Sequence, residues 1–176
     1  MANYRAPVRD ARFIIHDVLK IGDQADLDGF SGASADIIDA VLEEAGKFAS
    51  EVLAPLNASG DQQGCTRHAD GSVTTPAGFK DAHAQFRDSG WGTLSAPEEF
   101  GGQGMPHVLG FAVEEFLSSA NMAFAMYPGL TNGAVGALLA KGSDELQQRY
   151  VPKMVANEWL GTMNLTEPQC GTDLGL

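Results

Sequence analysis

The chain has 176 residues, 44% of them hydrophobic, and a formal net charge of −12. That length suits one domain with a real core rather than two full ones, and the acidic balance argues against nucleic acid, whose phosphates need clustered Lys and Arg. Cys65 and Cys170 fit neither a zinc nor a Cys-x-x-Cys spacing, no window reaches the length of a membrane span, and Asp10, Asp17, Asp23, Asp26 and Asp28 oppose a transit peptide. The expectation is a cytoplasmic protein with reduced thiols.

The first 33 residues read as an extension, with one short helix over Tyr4 to Leu19 in which Phe13, Ile14, Val18 and Leu19 pack on the rest. From Ser34 to Leu53 the residues Ile37, Ile38, Val41, Leu42, Ala45, Phe48, Ala49 and Val52 form one apolar face, which predicts an amphipathic helix capped by Ser34 and stopped at Pro55. A Gly-, Asp-, Ser- and Thr-rich stretch from Asn57 to Thr75 reads as loose. Thr75-Pro76 then opens a helix carrying Phe79, Ala82 and Phe86 inward, and Gly90 stops it.

Trp91 to Gly104 is an irregular Pro- and Gly-rich connection, and no role falls on its Glu98 or Glu99. Pro106 starts a helix with Val108, Phe111, Ala112, Phe116 and Leu117 inward and Glu114 and Glu115 on its surface. Asn121 to Ala140 is apolar and small, which predicts the most buried helix, irregular around Tyr127-Pro128. Ser143 caps a further helix, in which Leu146, Tyr150 and Val151 share a face and Pro152 breaks or restarts the run. His16, His68, His83 and His107 show no metal-ligand spacing, so no metal site is assigned.

The stretch from Trp159 to Asp173 carries the chemistry. Thr162, Met163, Leu165 and Thr166 suit a half-buried strand, and Glu167-Pro168 ends it because proline cannot donate to a ladder. Gly171 can take a positive φ, so neighbouring N–H groups can point outward together, with the hydroxyls of Thr166 and Thr172 on either side. A rim of that kind suits a flat polar heterocycle such as flavin.

Leu165-Thr-Glu-Pro-Gln-Cys-Gly-Thr-Asp173 resembles the central-strand motif of the acyl-CoA dehydrogenases, which commonly reads Thr-Glu-Pro, two variable residues, then Gly-Ser-Asp. Thr172 stands where serine is usual, which keeps the hydroxyl and adds a methyl. Trp91 to Gly104 is similar to the same family's segment ending in Gly-Gly-x-Gly. The extension resembles that of a longer subgroup that includes methylthiopropionyl-CoA dehydrogenases.

The resemblance implies an all-α, antiparallel helical bundle over residues 34–158 after the extension at 1–33, with residues 159–176 supplying the first strand of a β domain. It implies an FAD enzyme that oxidises an acyl-CoA thioester to the 2,3-enoyl-CoA, passes electrons to an electron-transfer flavoprotein or another acceptor, and forms a homo-oligomer. Flavin contacts would fall on Met163, Leu165, Thr166 and Thr172, and Thr172 would also approach the thioester. Met126, Tyr127 and Leu130 become candidates for an acyl pocket. The family's catalytic carboxylate lies in a later helical domain, so no residue of this chain is assigned as the catalytic base. Two other readings stand beside this one: a helical interaction or assembly module without turnover, and a flavin monooxygenase of similar fold, a group that usually lacks the Thr-Glu-Pro pattern.

Overall fold

The computed structural model describes residues 4–27, 29–173 and 175. Among the described residues, seven α-helices form an antiparallel bundle and a single two-stranded ladder stands beside them. The first helix, α1 (Val8–Phe13), runs into a widened π-helical turn at Ile14–Val18, closed by an i→i+5 bond from Leu19 N–H to the Ile14 carbonyl (2.8 Å). That turn shifts the phase of the apolar stripe. Ile15 faces inward, and Phe13, Ile14, Val18 and Leu19, expected to pack, face outward instead. The helix is held to α2 (Ala35–Lys47) by polar groups: Arg12 Nε donates to Asp39 Oδ1 (3.0 Å), which His16 Nε2 also approaches (2.9 Å). Tyr4 adds a bond from its hydroxyl to the Phe116 carbonyl (3.2 Å).

Ser34 caps α2 as expected, its hydroxyl accepting from Ile37 N–H. The predicted stop at Pro55 does not occur. A second π-helical turn, Phe48–Leu53, joins α2 to α3 (Ala54–Gln63) without a break, and the widened turn ahead of Pro55 accommodates its ring and missing N–H. Part of the stretch read as loose is therefore helical, and the rest holds a small hairpin of β1 (Thr66–Arg67) and β2 (Val73–Thr74).

Thr75-Pro76 forms a turn before α4 (Phe79–Asp88) rather than its cap, and Gly90, with φ 74°, ends that region as expected. The next pair is α5 (His107–Ala120) and α6 (Met122–Lys141), separated by Asn121 alone. Pro128 lies buried within a continuous α6, so packing overrides an intrinsic cost of about 3 kcal/mol for proline in a helix interior. Ser143 caps α7 (Asp144–Val155), which likewise continues through Pro152.

The main core centres on Phe48, Phe86 and Phe124, whose ring centroids lie 5.9 to 6.4 Å apart. Leu42, Leu53, Leu109 and Phe116 surround them. A smaller cluster of Phe100, Val135, Val151, Met154 and Val155 joins α6 to α7. Two burial expectations are corrected here. Phe111 is 67% exposed, because α5 turns Leu109, Val113 and Phe116 inward. Helix α6 buries one face only and leaves Met122, Ala123, Met126, Gly133 and Ala137 exposed.

The strand expected over Trp159 to Thr166 is absent as a strand. Leu160 to Thr166 has no regular secondary structure, and the pairing in this region is one isolated bridge between Glu167 and Gly171. An extended segment becomes a strand when a neighbouring strand takes its N–H and C=O groups, and no described residue does so here.

Candidate functional site

Between α5, α6 and the connection after α4 lies a cleft of about 350 Å³. Its α5 wall is a single helical stripe of His107, Gly110, Phe111, Glu114 and Leu117, spaced three and four residues apart. Its α6 wall is formed by Ala125, Pro128, Gly129, Asn132 and Gly136, and Trp91, Leu94 and Ser95 close the third side. Glu114 is the sole Asp, Glu, Lys or Arg among these lining residues.

The third wall is shaped by the connection doubling back on itself. Gln103, Gly104 and Met105 donate their N–H groups to the carbonyls of Thr93, Ala96 and Leu94 at 2.9 to 3.0 Å. Gly102 is required for this, since a Cβ there would overlap the Ala96 carbonyl. Gln103 Nε2 also donates to the Gly90 carbonyl (3.0 Å) and to Thr93 Oγ1 (2.8 Å). The Gly-Gly-x-Gly pattern is thus a clasp, and its variable residue is the pin.

Asn121 holds the corner between the two helical walls. It is 1% exposed, its Oδ1 accepts from Phe124 N–H (3.1 Å), and its Nδ2 donates to the Leu53 carbonyl (3.2 Å). Thr131, equally buried, donates to the Tyr127 carbonyl and accepts from Gly161 N–H (3.1 Å). Asn157 packs against Gly92 at the end of α7. None of these four polar residues was singled out from sequence. Each acts on a partner remote in the chain, and the Gly-Gly-x-Gly match was the one local signal near any of them.

The C-terminal segment crosses α6 at Gly161, which lies against Leu130, Thr131 and Ala134. Beyond it, Met163, Leu165, Thr166 and Thr172 are all exposed. The bridge is made in both directions, Glu167 N–H to the Gly171 carbonyl (2.8 Å) and Gly171 N–H to the Glu167 carbonyl (2.9 Å), with Gly171 at φ 62°. Thr166 and Thr172 therefore sit on the two arms immediately outside the turn. Among the described residues their hydroxyls make no hydrogen bond.

The three residues expected to line an acyl pocket do not line this cleft. Met126 is exposed, Leu130 is half-buried beneath Gly161, and Tyr127 packs edge-on against Phe124 at 5.8 Å. Burial pushes the Tyr127 phenol above its ordinary range. The walls come from the next helical positions, Ala125, Pro128, Gly129 and Asn132, because α6 runs straight through Pro128 where the sequence suggested a break. No group of His, Cys, Asp and Glu that could hold a metal occurs among the described residues, and no described helix is long and apolar enough to cross a membrane.

The helical bundle, its clasped Gly-Gly-x-Gly connection and the Thr-Glu-Pro turn at its C-terminal side together define the N-terminal domain of a dehydrogenase family. Residues 37–158 match the family model described as "Acyl-CoA dehydrogenase, N-terminal domain". The chain belongs to the acyl-CoA dehydrogenase family. It is 46% identical, over 97% of its length, to 3-methylmercaptopropionyl-CoA dehydrogenase of Ruegeria pomeroyi, and covers 29% of that protein. It is 33% identical over 98% of its length to a butyryl-CoA dehydrogenase of Syntrophomonas wolfei, again covering 29% of the relative. A broad-specificity linear acyl-CoA dehydrogenase of Mycobacterium tuberculosis is 30% identical over 99% of the chain, which covers 28% of it. The chain thus spans less than a third of the length of these curated relatives.

Proposed function

We propose that, in a protein of its relatives' length, this chain is the N-terminal part of an FAD-dependent dehydrogenase that oxidises an acyl-CoA thioester between Cα and Cβ to the 2,3-enoyl-CoA. The observation that carries this reading is the apolar cleft between α5 and α6, placed in a domain whose named relatives all act on acyl-CoA. The cleft takes the acyl chain. Its walls are carbon-rich and preformed, which is what an alkyl or thioether chain needs to leave water.

The residues of the turn fit a flavin edge. Thr166 and Thr172 present on the arms of one turn two hydroxyls with no hydrogen bond among the described residues, and Met163 and Leu165 present exposed apolar surface beside them. FAD, when bound, supplies the acceptor for the hydride leaving Cβ. The chain's own part is to orient and exclude water. Thr166 and Thr172 would hold polar ring atoms, Thr172 would also donate toward the thioester oxygen, and the cleft would fix the acyl chain so that its reacting carbons do not wander. The base that removes the α-proton lies outside this chain. An electron-transfer flavoprotein or another acceptor takes up the electrons, and the complete enzyme is a homo-oligomer.

The test is the reductive half-reaction of the complete enzyme. Thr172→Ala should slow flavin reduction on the order of 100-fold, because it removes a donor to developing charge. Thr166→Val keeps the branched shape and should leave the melting temperature close to that of the parent. Reduction at the parental rate in Thr172→Ala would remove the turn from the reacting edge. The 176-residue chain alone should purify without colour and without turnover, and a yellow chain with equimolar FAD would contradict the division of labour described here.

A further inference from the structure

Resting on the reading of the C-terminal turn as the flavin edge, we propose that Thr131 is a positioning residue for that edge. Its hydroxyl sets where the turn that carries Thr166 and Thr172 stands relative to the helical bundle. Leu160 to Thr166 has no regular secondary structure, so the run leading to the turn has no ladder to fix it. Among the described residues, a single hydrogen bond joins the run from Leu160 to Asp173 to an earlier element, and it passes from Gly161 N–H to Thr131 Oγ1 (3.1 Å). The other bonds of the run close within it, as between Asn164 and Thr162 and in both directions between Glu167 and Gly171.

The tie is built to hold one geometry. Thr131 is 1% exposed, and its hydroxyl gives its proton to the Tyr127 carbonyl one turn earlier (2.8 Å). With that proton committed, the oxygen faces the run as an acceptor, and donating and accepting through one dry oxygen strengthen each other. Gly161 lets the run come close. A Cβ there would stand 2.7 Å from Ala134 Cβ and 3.2 Å from both the Leu130 carbonyl oxygen and Thr131 Cα, so no larger residue fits at the crossing. Thr166 follows five residues later, within about 17 Å of extended chain, and a slip at Gly161 therefore reaches the turn. Valine at position 131 would keep the branched shape and lose both bonds, whereas serine would keep both.

Hydrogen exchange in the isotope-labelled chain tests the tie with no substitution at all. The Gly161 amide, corrected for sequence, should exchange at least about tenfold more slowly than those of Thr162 and Met163, and Thr131→Val should abolish the difference while Thr131→Ser keeps it. In the complete enzyme Thr131→Val should alter the visible circular dichroism of the flavin and slow its reduction roughly 10- to 100-fold, with Thr131→Ser within about threefold of the parent. A purely structural role would lower the urea midpoint of Thr131→Val and leave the rate per bound flavin at the parental value. Thr131→Ala carries the same expectations should Thr131→Val not fold. An unprotected Gly161 amide in the parent, or a serine variant as slow as the valine one, would overturn the proposal. A parental rate in Thr131→Val beside a slowed Thr172→Ala overturns the positioning role alone. Parental rates in both overturn the flavin reading of the turn and the positioning role with it.

Discussion

Asn121 should be the most sensitive polar residue of the bundle, because one side chain serves two elements at once. Its oxygen caps α6 through Phe124 N–H, and its amide donates to the Leu53 carbonyl at the end of the second π-helical turn. Asn121→Ala removes the cap, at about 1 kcal/mol, and strips a partner from a carbonyl among buried neighbours, at about 1 to 3 kcal/mol. The sum is about 2 to 4 kcal/mol. Asn121→Ser separates the two parts, since serine can still cap the helix but is too short to reach Leu53. Urea unfolding followed by far-ultraviolet circular dichroism should rank the parent above Asn121→Ser, and Asn121→Ser above Asn121→Ala. If Asn121→Ala unfolds within about 0.5 kcal/mol of the parent, the usual scatter of a neutral surface change, then the corner is held by packing alone and the reasoning fails.

Two further outcomes follow from the same geometry. Gly102→Ala should destabilise by at least about 1 to 3 kcal/mol, because its methyl falls on the Ala96 carbonyl, and the changed setting of Trp91 should appear in its fluorescence. His83 is stacked beside Phe86 with a buried, unpartnered Nε2, and burial, helped by Arg87, lowers its pKa from the ordinary value of 6.5. The unfolded chain therefore binds this proton first, so the stability it protects is whole above about pH 6.5 and is lost as pH falls below it. Urea midpoints of the parent should drop over that range more than those of His83→Gln, and parallel curves for the two would exclude His83 as the cause.

What was legible in the sequence was local. Ser34 and Ser143 cap their helices through N–H groups three residues on, Gly90 takes the positive φ its position suggests, and Gly171 does so within the Thr-Glu-Pro turn. The prolines were misjudged because their fate is not local. Pro55 is absorbed by a π-helical turn upstream, and Pro128 and Pro152 are carried inside helices by packing that no window of sequence displays. Phe13, Val18 and Phe111 were misplaced for a related reason, since periodicity shows that a stripe exists and not which way it faces once a turn has slipped phase. The turn between Thr166 and Thr172 could be read from the motif, whereas the cleft between α5 and α6 could not. Its walls depend on α6 continuing unbroken through Pro128 and on Gln103 pinning a loop thirteen residues back at Gly90.

The cleft and the turn are mechanically linked through α6. Thr131 is buried on that helix and receives Gly161 N–H, while Ala125, Pro128 and Gly129, a turn or two earlier, face the cleft. The residue that starts the C-terminal run, Trp159, lies under the Lys153 ammonium (4.2 Å) and beside Tyr150 (5.9 Å), so the run is anchored to α7 before it reaches α6. Asn157, just before it, packs on Gly92 at the loop wall of the cleft. A displacement of the turn that carries Thr166 and Thr172 thus pulls on the helix that walls the cleft and on the residue that seats its loop. In the reading proposed here the cleft and the turn would meet one thioester from two directions, and buried Asn and Thr side chains rather than ion pairs tie them, so their spacing should be insensitive to salt.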